Sequence, residues 1–411
     1  MKTVIRSTAV LTTAQGLGYV ISLAEVPILA RALGATAYGE LVWVQATALL
    51  ASMVVDYGFN LSASREIARN KNDNSFMQRT CGNVFLAKLV LLLLVATPLL
   101  VAYLIYTPTS SGMAYAGFIY FVGFGMTPFW YFQGMERMGR SVAVETLTRF
   151  LALISLFLFV QTPEDKTLAL TIMASGSIAC TIVTVIMCRV ELGGFRGTSI
   201  HGAVKQLKQS TAFFVYKSSG QLMTTAATTV LGAVVGKPAV GVFAPAEKVV
   251  KAVIGLAIPV FHAFYPHLSR LFIENPHKKR QQAFWLIVGV TASGFIAAIA
   301  LYIAGPTILS WMLGPGYDEA SDLLLLMVWL IPLRLLNQTL GFAVLLPSQK
   351  ESAAGMAMLI CSTLSLVLGA YLAAGHGASG MVAGLLIGDI ALIASQMYLS
   401  RHMFKARKTA P

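Results

Sequence analysis

Apolar runs of about 20 residues recur along the whole chain, separated by connections too short to fold alone, and this alternation leaves few architectures open. Lipid offers the backbone no hydrogen bonds, so runs of this length, which match a hydrocarbon core of about 30 Å, are expected to be helices. A hydropathy window of about 19 residues yields about twelve such segments. They lie at 8 to 30, 40 to 60, 82 to 106, 113 to 133, 142 to 161, 167 to 187, 211 to 236, 242 to 264, 282 to 304, 321 to 346, 353 to 373 and 379 to 400. The longest connection, 188 to 210, carries no pattern of its own, so no soluble catalytic domain is expected. A composition of 56% hydrophobic and 11% charged residues agrees with an all-α, polytopic membrane protein. The first run is too long for a signal-peptide core and leads into a second span, so it reads as a retained helix.

The net charge of +13 would suggest nucleic acid in a soluble protein, but its distribution argues otherwise. Lys and Arg crowd alternate connections: Lys2 and Arg6, then Arg65 to Arg79, Arg137 and Arg140, Arg189 to Lys208, Arg270 to Arg280, Lys350, and Arg401 to Lys408. The intervening connections carry only Arg31, Lys166 and Lys237. Such an asymmetry places both termini in the cytoplasm and requires an even number of spans, since one missed helix would scramble it. The charge is topological, and no nucleic acid is expected as a partner.

The stretch from Val242 to Ser269 is apolar enough to cross the bilayer yet carries Glu247, Lys248 and Lys251. On a helix these three point to roughly one side, and Glu247 is spaced four residues from Lys251, where it can partly neutralise it. An ionised group at membrane depth costs at least about 2.5 kcal/mol, so the stripe is expected to line a wet cavity or a protein interior. Snorkelling of the lysine stems to the headgroups is the alternative, and Glu247 is too short for it. Pro245 and Pro259 mark the helix as irregular.

Other ionisable residues sort by depth. Asp56, Lys88 and the i, i+4 couple Glu145 and Arg149 lie near cytoplasmic span ends, where ordinary anchoring is expected. Lys217 lies about two turns in from that side. Arg334 is near the middle of its span beside Pro332, close to Asn337 and Gln338; Asp389 is mid-span in the last helix, and Glu25 precedes Pro27 in the outer part of the first. The carboxylates Glu25, Glu247 and Asp389 could take up a proton or Na⁺, or pair with the buried cations. The cysteines Cys81, Cys180, Cys188 and Cys361 show no metal or redox spacing and read as small packing residues.

A repeat divides the chain. Gly34, Ala37 and Gly39 after the first span recur as Gly236, Ala239 and Gly241 after the seventh, all at the same interval, close to half the chain. Two six-span halves, 1–204 and 205–411, with the same in/out sense imply a pseudo-two-fold axis along the membrane normal. At that interval Glu247, Lys248 and Lys251 fall on Gln45, Ala46 and Leu49, so the charged stripe belongs to the second half alone.

The fourth span ends Trp130-Tyr131-Phe132-Gln133-Gly134-Met135-Glu136-Arg137-Met138, which resembles the W-x-F-Q-G-x-E-x-M signature of bacterial polysaccharide flippases of the O-antigen (Wzx) type. The turn Arg31-Ala32-Leu33-Gly34 to Tyr38-Gly39 is similar to the R-x-L-G-x-x-x-Y-G turn of the same superfamily, which also holds drug exporters and lipid II flippases. Ala246-Glu247-Lys248, Tyr265-Pro266-His267-Leu268-Ser269 and Leu313-Gly314 to Tyr317 look like further patterns of the family. The resemblance implies a cytoplasmic-membrane protein that moves an undecaprenyl-diphosphate-linked oligosaccharide to the outer leaflet. Its implied partners are that lipid, membrane lipids and other polysaccharide-assembly proteins; no cofactor is implied. A lipid diphosphate needs cations at membrane depth, for which Lys217, Lys248, Lys251 and Arg334 are the candidates. Glu25, Glu247 and Asp389 offset most of that charge and are the candidates for ion coupling. Interfacial anchoring by Trp130, Tyr131 and Phe132 is expected in preference to sugar stacking.

An ion-coupled drug or metabolite exporter would share the fold and the carboxylates without the signature at Trp130 to Met138. A membrane enzyme acting on the same lipid should show a large outer loop with clustered acid, base or Arg residues. The outer loops here are short, that at about 305 to 320 carrying only Asp318 and Glu319, and no enzyme is expected.

Overall fold

The computed structural model describes residues 2–106, 111–258, 261, 276–345 and 351–404. Among the described residues the backbone is helical between short turns and forms no strand. The first helix, α1 (Lys2–Asp56), has 55 residues, far more than the ~20 that one crossing needs. Gly34, at φ 70°, breaks it between the two expected spans. The last helix, α13 (Glu351–Phe404), repeats this arrangement with 54 residues and a break at Gly377, φ 62°. Positive φ is costly for residues with a Cβ, so glycine allows the chain to turn there without a long loop.

Between them lie α2 (Phe59–Arg69), α3 (Asn74–Tyr106), α4 (Ser111–Met126), α5 (Phe129–Gly134), α6 (Met138–Phe159), α7 (Lys166–Leu192) and α8 (Ile200–Val234). These are followed by α9 (Lys237–Gly255), α10 (Pro276–Leu313), α11 (Asp318–Met327) and α12 (Leu330–Leu340). Seven helical stretches among the described residues are long and apolar enough to cross a membrane, and the first and last each hold two expected spans. The protein is therefore an all-α, multi-pass membrane protein. Pro259 and the Tyr265 to Ser269 pattern lie outside the described residues.

Three details differ from the expectation. Proline divides the fourth span: the residue before Pro128 is driven out of helical geometry, so α4 stops at Met126 and α5 restarts at Phe129. The tenth span is likewise α11 and α12 with a turn between, because Pro332 has no N–H for the carbonyl four residues back, and it continues into a π-helical turn at Gly341–Leu345. The connection expected at 188 to 210 shrinks to 193 to 199, since both flanking helices run on past their apolar stretches.

The helices form two compact units, residues 1–221 with 236–241, and residues 222–235 with 242–411. In the first, α1 packs against α3, α4 and α6, α7 packs on α4 and α6, and α2 lies on α5. In the second, α10 contacts α11 and α12, and α13 contacts both of those helices. Helix α8 gives its residues up to Gln221 to the first unit and the remainder to the second. The turn between α6 and α7 is tied by Asp165, whose carboxylate accepts from the Gln161 and Thr162 amides at 3.1 and 2.9 Å. Those two N–H groups hold the Asp165 carboxyl below its ordinary pKa.

The repeated turns meet inside the first unit. Gly34 and Gly236, equivalent in the repeat, both have positive φ, at 70° and 118°. A Cβ on Gly39 would collide with the Lys237 carbonyl and lie 2.7 Å from the Gly241 amide nitrogen; a Cβ on Gly241 would collide with the Ala35 carbonyl, 2.7 Å from its carbon. The interval that carries Gly39 onto Gly241 also carries Ala35 onto Lys237, so each turn offers the other the same glycine and the same carbonyl.

Candidate functional site

Several ionisable side chains inside the apolar helices are held against opposite charges. In the second unit, Pro332 opens α12 and places Arg334 and Asn337, three residues apart, on one face toward α13. Both reach Asp389: Arg334 Nε donates to Oδ2 at 3.2 Å, and Asn337 Nδ2 donates to Oδ1 at 2.8 Å and to the Asp389 carbonyl at 3.3 Å. Asp389 is fully buried and Arg334 is 6% exposed. With both carboxylate oxygens occupied the pair is satisfied, and removing one member would strand the other at a cost of about 3–5 kcal/mol.

Helix α9 carries the charged stripe in that same unit. Glu247 is buried and joins Lys251, one turn on, at 3.0 Å; Thr228 of α8 donates to the same carboxylate oxygen at 3.0 Å. Lys251 and Lys248 are half-buried. The Glu247 carboxylate faces protein, and Thr228 is a contributor that the sequence analysis did not place at the site.

Lys217 belongs to the first unit. Its ammonium binds Asp56 Oδ2, and the Oδ1 of that carboxylate lies 3.3 Å from Lys88. Lys88 also donates to the carbonyls of Gly125 and Thr127 at 3.1 and 3.4 Å, and it is fully buried. Reading Lys88 and Asp56 as anchors is therefore corrected: α3 packs against α1 and α4, and the lysine head is enclosed by protein before it can reach a headgroup. Glu25 is half-buried on α1, where it and the Glu145–Arg149 pair, 2.7 Å apart, lie within electrostatic reach of Tyr120.

The two lysines of the sparsely charged side are also engaged. Lys166 bonds Glu40 at 2.6 Å, and the Lys237 ammonium sits 3.3 Å above the centre of the Trp43 ring, a cation–π contact on a buried indole.

The aromatic signature is neither an interfacial belt nor an open stacking platform. Trp130, Tyr131 and Phe132 are buried in a core with Phe59, Ile67, Met77, Val84 and Cys188. They pack α5 against α2, and a Cβ on Gly134 would lie 2.8 Å from both Ile67 Cβ and the Ser64 carbonyl oxygen. The Tyr131 hydroxyl donates to Glu191 at 3.0 Å, Arg140 binds the same carboxylate, and Glu136, at φ 57°, pairs with Lys71 at 2.9 Å. The motif builds the seat of a short amphipathic helix.

Residues 4–272 match the polysaccharide biosynthesis protein family. The chain belongs to that family. Its relatives include two proteins named "Putative O-antigen transporter": one from Escherichia coli strain K12, 27% identical with 88% of each chain covered, and one from Shigella dysenteriae, 27% identical over 92% of this chain and 95% of the relative. Among solved structures the family member resembles the lipid II flippase MurJ in an inward closed conformation, with a TM-score of 0.73, 13% identity and coverage of 97% of this chain and 87% of the other. It also resembles an inward-facing multidrug resistance MATE family transporter of the MOP superfamily, with a TM-score of 0.63, 15% identity and coverage of 96% and 100%. At such identities the likeness is one of fold alone.

Proposed function

We propose that this protein is a flippase that carries an undecaprenyl-diphosphate-linked oligosaccharide from the cytoplasmic to the outer leaflet of the cytoplasmic membrane. The observation that carries the reading is chemical: the basic residues at membrane depth, Lys217, Lys251 and Arg334, each rest on a carboxylate that an incoming diphosphate can replace. The family match and the named relatives supply the class of lipid. Lys248 completes the set of substrate cations, while Glu25, Glu247 and Asp389 are the groups through which H⁺ or Na⁺ would couple. Both termini lie in the cytoplasm, as the Lys and Arg distribution argues. The two halves, 1–204 and 205–411, are related by a pseudo-two-fold axis along the membrane normal and alternate access; the reciprocal contact of Gly39 and Gly241 supports that symmetry. Assembly proteins of the same polysaccharide are its natural partners, and it carries out no bond-making step itself.

The MATE likeness favours one other reading, an ion-coupled drug or metabolite exporter. Deletion in the source bacterium separates the two. A flippase mutant accumulates lipid-linked oligosaccharide that a membrane-impermeant periodate reagent cannot reach from outside. Normal surface polysaccharide together with new sensitivity to cationic drugs would replace the flippase reading by the exporter.

A further inference from the structure

Helix α6 ends at Phe159, and a crevice opens beyond it. Pro163 has no N–H to give the Phe159 carbonyl four residues back, and it holds Thr162 extended, at φ −128° and ψ 159°. The chain therefore leaves the helix at Val160, φ −105° and ψ 108°, and passes into the turn at Pro163–Asp165. Pro27, Ile28 and Arg31 of α1 lie opposite, across a crevice of about 410 Å³, within the size range of small-molecule sites, about 300–1,000 Å³.

The lining is chemically divided. Pro27, Ile28 and Phe157 supply apolar surface, and Arg31 and Gln161 supply donors. The Gln161 side-chain amide makes one long bond, 3.5 Å to the Leu158 carbonyl, and has a second N–H to give. Beside Gln161 stands the Asp165 carboxylate. Its bonds from the Gln161 amide, the Thr162 amide and the Thr162 hydroxyl, at 3.1, 2.9 and 3.0 Å, all fall on Oδ2, and among the described residues no donor reaches Oδ1. Lys166, next along the chain, is engaged by Glu40, so the turn presents carboxylate rather than a further cation. Back along α6, toward the middle of the membrane, Phe157, 68% exposed, shares a face with exposed Ile154 and Phe150, an apolar stripe about 10 Å long.

A guanidinium and an amide suit a phosphate, a carboxylate suits an ammonium, and the stripe suits a hydrocarbon chain. We infer that the crevice between α1 and α6 is a phosphatidylethanolamine site, in which Arg31 and Gln161 hold the phosphate, Asp165 Oδ1 accepts from the ammonium, and an acyl chain lies along Phe157, Ile154 and Phe150. Phosphatidylglycerol would satisfy Arg31 but bring an uncompensated negative charge to a turn that carries Glu164 and Asp165. The trimethylated head of phosphatidylcholine has no N–H for Oδ1. None of the proposed substrate cations lines the crevice, so the inference does not depend on which cargo the protein moves.

The full-length protein in detergent, titrated with dioctanoyl phospholipids and read by native mass spectrometry, tests the site. Phosphatidylethanolamine should bind roughly tenfold more tightly than phosphatidylglycerol or phosphatidylcholine. Arg31→Gln should weaken it by a similar factor, and Ile28→Trp, which fills the crevice, should remove it. Asp165→Asn should bring phosphatidylethanolamine and phosphatidylcholine level. Because that substitution also loosens the turn, a measurement on the unaltered protein stands beside it: a phosphatidylethanolamine with a photoreactive acyl chain should label the stripe from Phe150 to Phe157. Equal affinity for the three headgroups means an annular lipid only and overturns the inference, as does a preference for phosphatidylglycerol. Unchanged affinity in folded Arg31→Gln and Ile28→Trp variants, or no labelling of the stripe, overturns it too. Displacement of the phospholipid by equimolar farnesyl diphosphate would give the crevice to a polyprenyl chain instead and contradict the assignment.

Discussion

Gly39 stands against the carbonyl of Lys237 so closely that a methyl group has no room, and Gly241 stands in the same way against Ala35. The contact is repeated under exchange of partners, glycine against carbonyl in both directions. Each of the two glycines lies in the first helical turns after a glycine at positive φ, Gly34 and Gly236, where the backbones approach each other.

Gly39→Ala and Gly241→Ala should each destabilise the purified protein by about 1–3 kcal/mol through overpacking. The double variant should cost less than the sum, because one displacement of the paired turns relieves both collisions. Thermal unfolding in detergent measures this, and strict additivity would mean that the two contacts are independent.

The buried pair of Arg334 and Asp389 separates a structural role from a binding role. Arg334→Gln strands Asp389 and should lower the amount of folded protein, with a loss of about 3–5 kcal/mol; adding Asp389→Asn should restore abundance. If the guanidinium also meets the diphosphate, the restored double variant still exports no polysaccharide. Arg334→Lys should rescue export only in part, since an ammonium cannot make a planar bidentate contact. Full export by the folded double variant would confine Arg334 to the pair.

The seat of α2 gives a third test. Trp130→Ala should cost about 3–5 kcal/mol by opening a cavity. It should also expose a cysteine placed at Ala63, now fully buried, to a thiol reagent in an otherwise cysteine-free background. Trp130→Phe, which keeps an aromatic body in the core, should retain export. Loss of export from a folded Trp130→Phe variant would point instead to contact with the sugar.

Orientation is open to reporter fusions. Fusions after Glu164 and Gly316 should read as external and one after Arg140 as internal, because the Lys and Arg asymmetry requires one span between Arg140 and Glu164 and an even number between Glu164 and Gly316. A single inverted result contradicts the topology.

What the sequence disclosed was what is local. Spans follow from runs of apolar residues, and the turn at Gly34 and its copy at Gly236 from glycines at fixed places. The i, i+4 pairing of Glu247 with Lys251 follows from helical spacing alone. Asp56 and Lys217 are 161 positions apart, and nothing in either neighbourhood names the other. Near the end of a span a lysine that snorkels and a lysine buried on a carboxylate look alike, which is why Lys88 was misread. Trp130 failed for a related reason: an aromatic at a span end suits a membrane interface or a packed core equally, and only the short helix α2, too polar to register in a hydropathy window, decides between them. The breaks at Pro128 and Pro332 were visible as prolines, but not as helix ends.

Reconstitution tests the central claim most directly. The purified protein in liposomes carrying a fluorescent undecaprenyl-diphosphate-linked oligosaccharide should bring the inner-leaflet fraction within reach of an external, membrane-impermeant quencher, and the folded Arg334→Gln, Asp389→Asn double variant should not. If the protected fraction stays protected with the unaltered protein under every imposed H⁺ or Na⁺ gradient, the protein does not move this class of lipid and the account is wrong.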